Sequence, residues 1–583
     1  MCYRSRLVLN ATGPYRFYGE AVVQACIKEK ADYADLCGEP EFIDRCTLKY
    51  SDAAKAAGVL IVHSCAFDSV PADIGTLVTA MQFRPPALCA QVNMFHSFSI
   101  DHSAPGAAKG AMAHATTFYA AVHGFGSVKE TRAQRRKLMA KLEADAPGSS
   151  KPPPRLGPRL KVPSGPSWNN ELRKYTFLFP GSDAAVVRTS QRILARLPRK
   201  AGEPYLTPQF GASVCVNSTF WAAMMATMGL LFNLLASLGP LGRSILLRHP
   251  RLFTLGAFSD EGPTEEMLAA TSWTTTFFGK GWAKAQVDAG TDTPTPPGGQ
   301  LDTTVVVKVS GPEPGYIATA RMFAMMGRTI LDDRAELTAH APGGVYTPGA
   351  LLGGGGTATI SRVVERLREV GVVFETGELT PVPSQGGEKR PAWQSALNLV
   401  ALLGWAGVLA TLILDWQNAV PSANSPLLRA TIGLEAICAF ETFQIALGIA
   451  QGNLPMGIVL HYTRLLIALV AMPLASSSLS SRLVLLAWSA TEVCRYPMFL
   501  LPSSSLARLT RYVVPALTFP LGVVAEASLA YSVTLLLGSS ASLWTRAALL
   551  LVVPTNLLLG FGLGYPQVLR KARNMLRPAK KTN

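Results

Sequence analysis

Beyond residue 390 the chain changes character. Six apolar stretches, at about 396–414, 430–451, 457–475, 483–501, 512–536 and 547–565, follow one another with few charges between them. Each can cross a hydrocarbon core of about 30 Å at about 1.5 Å of rise per helical residue. This third of the chain is therefore expected to be an all-α six-span transmembrane bundle. An even number of spans puts both ends on one side. Lys389 and Arg390 precede the first stretch, Arg508 and Arg511 fall in the fourth connection, and Arg570, Lys571, Arg573, Arg577, Lys580 and Lys581 follow the last, whereas the opposite connections hold Arg429, Arg482 and Arg546. Positive charge collects on the cytosolic side, so both termini are expected in the cytosol.

The residues before the spans read as ordinary globular protein. At 583 residues the chain exceeds one domain of roughly 100–200 residues. The expected organisation is α/β, a truncated Rossmann-like domain over residues 1–85, then an α+β substrate domain over 86–376, a Pro/Gly/charged linker over 377–391 (GELTPVPSQGGEKRP), the membrane bundle over 392–575 and a basic tail over 576–583. The net charge of +16 is dispersed or lies beside apolar segments and interleaves with no nucleic-acid motif, so membrane lipid, not nucleic acid, is the expected partner. Nine cysteines form no CxxC pair, which supports neither a disulfide framework nor a metal site. MCYRSRLVLNATGPY at the amino terminus lacks the apolar core of a signal peptide.

Leu7–Asn10 reads as a buried strand entering a turn, residues 19–30 as a helix, Tyr33–Leu36 as a strand, residues 41–57 as a helix and Val59–Val62 as a third strand. That alternation predicts a parallel, doubly wound sheet. His63 and Cys65 at the third strand's end read as structural, and Asp68 and Asp73 as carboxylates capping a helix start. Phe220–Gly242 is apolar enough to be considered for spanning, since about 20 residues suffice, but it holds Asn233, glycines and a proline. It reads either as a helix or hairpin lying on a lipid surface or as a core helix of the substrate domain.

Residues 13–42 (GPYRFYGEAVVQACIKEKADYADLCGEPEF) and 65–75 (CAFDSVPADIG) resemble the saccharopine-dehydrogenase-like oxidoreductases, and GSDAAVVRTSQR, FSDEGPTEEML, VSGPEPGYIATA and GGVYTPGA continue the resemblance to residue 376 in order. The resemblance implies NAD(P) as cofactor. A Gly-rich turn would hold its pyrophosphate, but residues 1–60 contain no GxGxxG. What remains for the nicotinamide is the turn Asn10–Tyr15, with Gly13, Pro14 and Tyr15 as candidate cofactor-binding residues.

Within the apolar stretches an ionisable group costs several kcal/mol and persists mainly where it faces a cavity or partner. Glu435, Glu441, His461, Arg464, Glu492, Arg495 and Glu526 are such groups, and Glu492 and Arg495, three apart on one helical face, can pair. NLVALLGW (398–405), FETFQIALGIA (440–450), WSATEVCRYPMF (488–499) and RYVVPALTFPLGVVAE (511–526) resemble the very-long-chain 3-hydroxyacyl-CoA dehydratases. That resemblance implies a cofactor-free removal of water from a 3-hydroxyacyl-CoA by a Tyr and a Glu seven residues apart, about 10.5 Å of helical rise. Glu526 matches the Glu; the Tyr position holds Phe519. Gln444 and Phe499 stand where His and Tyr are common, and Tyr512, seven residues before Phe519, is the candidate partner of Glu526. The implied function is a step of fatty-acid elongation on long-chain acyl-CoA, alongside other elongation enzymes and with the oxidoreductase-like domain acting on the same acyl chain. The alternative is a catalytically silent membrane scaffold that binds acyl lipid. Lys580–Lys581 near the end resembles a dilysine retrieval signal of the endoplasmic-reticulum membrane.

Overall fold

The computed structural model describes residues 2–104, 111–126, 128–146, 148, 151–162, 166–197, 202–237, 239–254, 256–285, 300–382, 392–446, 454–501, 504–538, 542–556 and 565–576. Two compact units divide the chain at residues 384/385.

The first unit opens with β1 (Leu7–Asn10), α1 (Tyr15–Glu29), β2 (Asp32–Asp35), α2 (Pro40–Ala57) and β3 (Leu60–Val62). α1 begins directly after Pro14, one turn earlier than the apolar periodicity indicates. α2 has Pro40 in its first turn and ends on Gly58 in the left-handed conformation, the asymmetry expected of Pro and Gly at helix ends. Val23 and Cys26 of α1, Phe42 and Cys46 of α2, and Tyr33 and Ile61 of the sheet form one buried cluster.

The chain continues through α3 (Val70–Met81), β4 (Leu88–Ile100), α4 (Ala115–Gly126), β5 (Ser167–Asn169), β6 (Lys174–Leu178), α5 (Asp183–Leu194), β7 (Gln209–Val216), α6 (Thr219–Ser237), α7 (Gly239–Arg248), β8 (Thr271–Trp282), β9 (Thr303–Pro312), β10 (Gly344–Tyr346) and β11 (Val373–Thr376). β10 returns to the small sheet, whose order is β1-β2-β3-β10 with every pair parallel. An eight-stranded sheet follows the path β11-β9-β8-β4-β7-β6-β5, with the two-residue strand Thr380–Pro381 pairing β9 as the eighth, antiparallel except at the β4/β7 pair. α3 is buried along nearly its whole length, and a single core runs from Ala34, Leu60 and Val62 of the small sheet through Ile74 and Leu77 of α3 to Phe277 and Val307 of the large one. Residues 1–85 are thus not a separate body, and the division expected at 85/86 is corrected. A three-residue strand such as β10 has too little periodicity to announce that the chain returns 280 residues later.

The linker is also corrected. Gly377 N–H donates to the Val306 carbonyl, Thr380–Pro381 pairs with Thr303–Thr304, and Val382 N–H donates to the Asp302 carbonyl. Residues 377–382 therefore edge the large sheet, and 383–391 lie outside the described residues. α6 and α7 pack against α4 around Phe118, Val122 and Leu246, while Trp221, Met225, Leu241 and Ile245 are exposed. The pair thus has one packed side and exposed apolar side chains besides.

The second unit is helical: α8 (Ala392–Leu414), α9 (Pro426–Ala446), α10 (Leu454–Leu466), α11 (Leu479–Leu500), α12 (Ser505–Leu537), α13 (Leu543–Pro554) and α14 (Tyr565–Leu576). Beyond α10 the helical path continues through a wide turn, Ile467–Ala471, to Leu474. Ser478, Ser504 and Ser542 cap α11, α12 and α13, each accepting an N–H three residues on, the role their short hydroxyl side chains favour. Among the described residues three helices are long and apolar enough to cross a membrane, Trp393–Leu414, Gly457–Leu474 and Ser505–Leu537. α9 and α11 have 21 and 22 residues, but each carries three charged side chains, most of them paired inside the bundle as described below. The expected sixth stretch is described as α13, its continuation through 557–564 and the tail with Lys580–Lys581 lying outside the described residues.

Candidate acid-base site in the helical unit

α9, α10 and α11 each place charged side chains at helical spacing, and the fold turns them toward one another. Glu435 on α9 pairs with His461 Nδ1 through one oxygen and with Arg464 of α10 through the other, at 3.3 Å. The same Arg464 nitrogen lies 2.9 Å from Glu492 Oε1 of α11, and Glu492 Oε2 accepts from Arg495 at 2.8 Å. Arg495 also pairs with Glu441 of α9. Glu435 is fully buried and Arg464 and Glu492 are nearly so. Charges this deep persist only when each finds an opposite partner and hydrogen bonds. The expected Glu492–Arg495 pair is thus one link in a longer chain.

Trp488, one turn before Glu492, connects this chain to Glu526. The Arg464 guanidinium lies 5.2 Å over its ring, and its indole N–H donates to Glu526 Oε1 at 2.6 Å. Asn556, just beyond α13, donates to Glu526 Oε2 at 2.9 Å. Glu526 is 6 % exposed, so both oxygens of a buried carboxylate accept N–H donors. That arrangement presents it as a proton acceptor.

The candidate partner, Tyr512, is not brought to this carboxylate. It lies fourteen residues before Glu526 on the same helix, about 21 Å of rise, with Lys571 of α14 5.8 Å over its ring. Phe519 stands two turns before Glu526 and stacks almost parallel on Tyr565, with ring centroids 6.1 Å apart and an interplanar angle of 7°. Gln444 accepts from the Gln394 amide at 2.9 Å. Phe499 packs near Tyr496, and the Tyr496 hydroxyl is 3.2 Å from the Cys438 sulfur. Asn556, Cys438 and Tyr565 lie outside the motifs that carry the resemblance, and Trp488 opens one of them. Trp488, Glu492, Arg495 and Phe499 share one helical face by spacing, a signal that was available; Asn556, a lone amide in an apolar stretch, was another.

In the first unit, Asp35 ends β2 and gathers four donors: the Tyr33 hydroxyl at 2.9 Å, the Cys37 and Ser64 amides at 3.1 and 3.0 Å, and His63 Nδ1 at 2.7 Å. Burial works against a proton on His63, but the Asp35 carboxylate outweighs it and, with the Cys46 thiol, raises the imidazole to about 10. A second group lies on β4 and α5, where His96 is 2.6 Å from the Thr275 hydroxyl and 2.8 Å from Asp183 Oδ2. Burial and the Asp183 charge push the nearby Asp68 up to about 7, against His96.

The capping role expected of Asp68 and Asp73 is corrected. Ser69 precedes α3 without a side-chain cap, and Asp73 instead accepts from the Ser190 hydroxyl at 2.6 Å and the Gly349 amide at 2.7 Å, joining α3 to two distant segments. Gly13, Pro14 and Tyr15 lie at the start of α1. The Tyr15 and Arg16 amides donate to the Glu39 carboxylate at 2.7 and 3.4 Å, and the Tyr15 hydroxyl donates to the Asn10 carbonyl at 2.9 Å. The anion position of this helix end is thus filled from within the chain by Glu39.

Comparison with known proteins accounts for both units. A saccharopine dehydrogenase-like oxidoreductase of Homo sapiens is 34 % identical over 374 residues, 64 % of this chain and 78 % of the human protein. The chain belongs to this oxidoreductase family. A lipid droplet localized protein of Caenorhabditis elegans is 27 % identical over 382 residues, 64 % of this chain and 80 % of that protein. Residues 435–578 match the family described as protein tyrosine phosphatase-like protein, PTPLA, which is the dehydratase family that the motifs of the helical unit resemble. Phosphatase chemistry would need a thiolate in a cradle of free amides; Cys438 and Cys494 sit inside α9 and α11, where the amides are already hydrogen-bonded. The chain thus joins an oxidoreductase-family unit to a dehydratase-family helical unit.

Proposed function

We propose that the helical unit dehydrates long-chain 3-hydroxyacyl-CoA to the trans-2-enoyl-CoA in the endoplasmic-reticulum membrane, with six spans and both termini in the cytosol. The observation that carries this reading is the Glu526 carboxylate, buried in the bundle and held by two N–H donors beside a chain of paired charges. Elimination of water needs a base for the Cα proton, and an acceptor desolvated in an apolar site is suited to take it. Elongation enzymes upstream and downstream are the expected neighbours, since the substrate is made by a ketone reduction and the product consumed by an enoyl reduction.

The oxidoreductase-family unit is read as a lipid-associated scaffold that holds acyl chains rather than as a working reductase, because Glu39 fills the helix end that a cofactor would otherwise use. Its exposed Trp221, Met225, Leu241 and Ile245, beside exposed Arg248, suit a phospholipid surface. The deciding experiment expresses the whole chain in dehydratase-deficient membranes and follows conversion of a long-chain 3-hydroxyacyl-CoA. Conversion that Glu526→Gln lowers by roughly 10² to 10⁴ is expected. Wild-type membranes no more active than the empty host would leave the silent-scaffold reading.

A further inference from the structure

Dehydration needs a proton donor for the departing hydroxyl as well as a base, and the residue two turns from Glu526 on its own helix, Phe519, has no proton to give. α12 carries Pro515 and Pro520 within its length. Proline has no N–H, so Pro520 leaves the Ala516 carbonyl without its helical donor. The Tyr565 hydroxyl of α14 donates to that carbonyl at 3.2 Å, and the Tyr565 ring stacks on Phe519. Side chains on a helix lean toward its N-terminus, so the tip of residue 519 covers the turn that contains Ala516. A hydroxyl on residue 519 would reach the level where the Tyr565 hydroxyl already stands. Lys571 over Tyr512 shows α14 running antiparallel along the same stretch of α12.

Resting on the dehydratase reading, we infer that Tyr565, carried by α14, is the proton donor of this reaction in place of residue 519. The Glu526 carboxylate takes the Cα proton, and the electron pair forms the Cα–Cβ double bond. The Cβ–O bond breaks and the Tyr565 phenol protonates the leaving oxygen, giving water. The phenolate and the protonated Glu526 then exchange a proton through solvent, which returns both groups to their starting state.

The test follows dehydration of a long-chain 3-hydroxyacyl-CoA by membranes carrying the full chain as wild type, Glu526→Gln, Tyr565→Phe, Phe519→Tyr and the Phe519→Tyr/Tyr565→Phe double variant. Tyr565→Phe is expected to lower kcat by roughly 10² to 10⁴ with KM little changed, and the double variant to return within about tenfold of wild type. A kcat lost at nearly unchanged KM, and regained when the hydroxyl moves across the stacked pair, is what loss of a proton donor produces. If Tyr565→Phe stays within about threefold of wild type while Glu526→Gln is inactive, Tyr565 is not the donor and the dehydratase reading stands. An inactive Tyr565→Phe that the double variant does not rescue also overturns the proposal. An inactive wild type removes both.

Discussion

Replacing Arg464 with Met tests whether the buried charges hold the helical unit together. The guanidinium bonds Glu435 at 3.3 Å and Glu492 at 2.9 Å and lies over Trp488. Without it each carboxylate keeps one partner, His461 for Glu435 and Arg495 for Glu492. The loss is thus one uncompensated buried charge rather than two, about 3–5 kcal/mol. At about 1.4 kcal/mol per factor of ten, the folded-to-unfolded ratio falls at least a hundredfold. Adding Glu492→Gln removes one negative charge and leaves Arg495 with Glu441, so the double variant is expected to recover about 1–3 kcal/mol through the coupling of neighbouring sites. The assay is peptide-resolved labelling of the Cys438 thiol, which is 0 % exposed, in the detergent-solubilised full chain as temperature rises. A cost below about 1 kcal/mol for Arg464→Met, or a double variant equal to the sum of its singles, would refute the reasoning.

Two further outcomes concern the first unit. Asp68 is held at about 7 against an ordinary value of 3.8, so the stability it contributes is whole below about pH 4 and is lost as pH rises through 7. Asp68→Asn should therefore gain on wild type between pH 5 and pH 8, by up to ~4 kcal/mol; a difference independent of pH in the labelling of buried Cys65 would contradict this. A fluorophore on Leu241→Cys, whose parent side chain is 70 % exposed, should be quenched by brominated phospholipid in reconstituted vesicles. Absence of quenching there, with quenching retained on Leu403→Cys of α8, would count against a lipid-facing α6–α7 pair.

Much of the architecture is legible in the residues alone. Strand-helix alternation over residues 7–62 and the long apolar stretches beyond 390 are local patterns, because amphipathic period and span length are written in adjacent residues. The same holds for Glu526, whose charge in an apolar stretch makes it a candidate site residue before any contact is known. The pairing of that carboxylate is different. Trp488 precedes it by 38 residues and Asn556 follows by 30, separations at which sequence carries no distance. Tyr512 shares a helix face with Glu526 by periodicity, yet rise along the axis keeps the two apart, while Tyr565 reaches Phe519 from a different helix. Likewise β10 completes the parallel sheet from residue 344, and Glu39, just before α2, occupies the start of α1. Chain composition and period therefore determined the two kinds of unit and which groups are chemically able to act. Only packing decided which of those groups meet, because hydrogen bonds and charge pairs depend on ångström-scale approach between segments that the chain order leaves far apart.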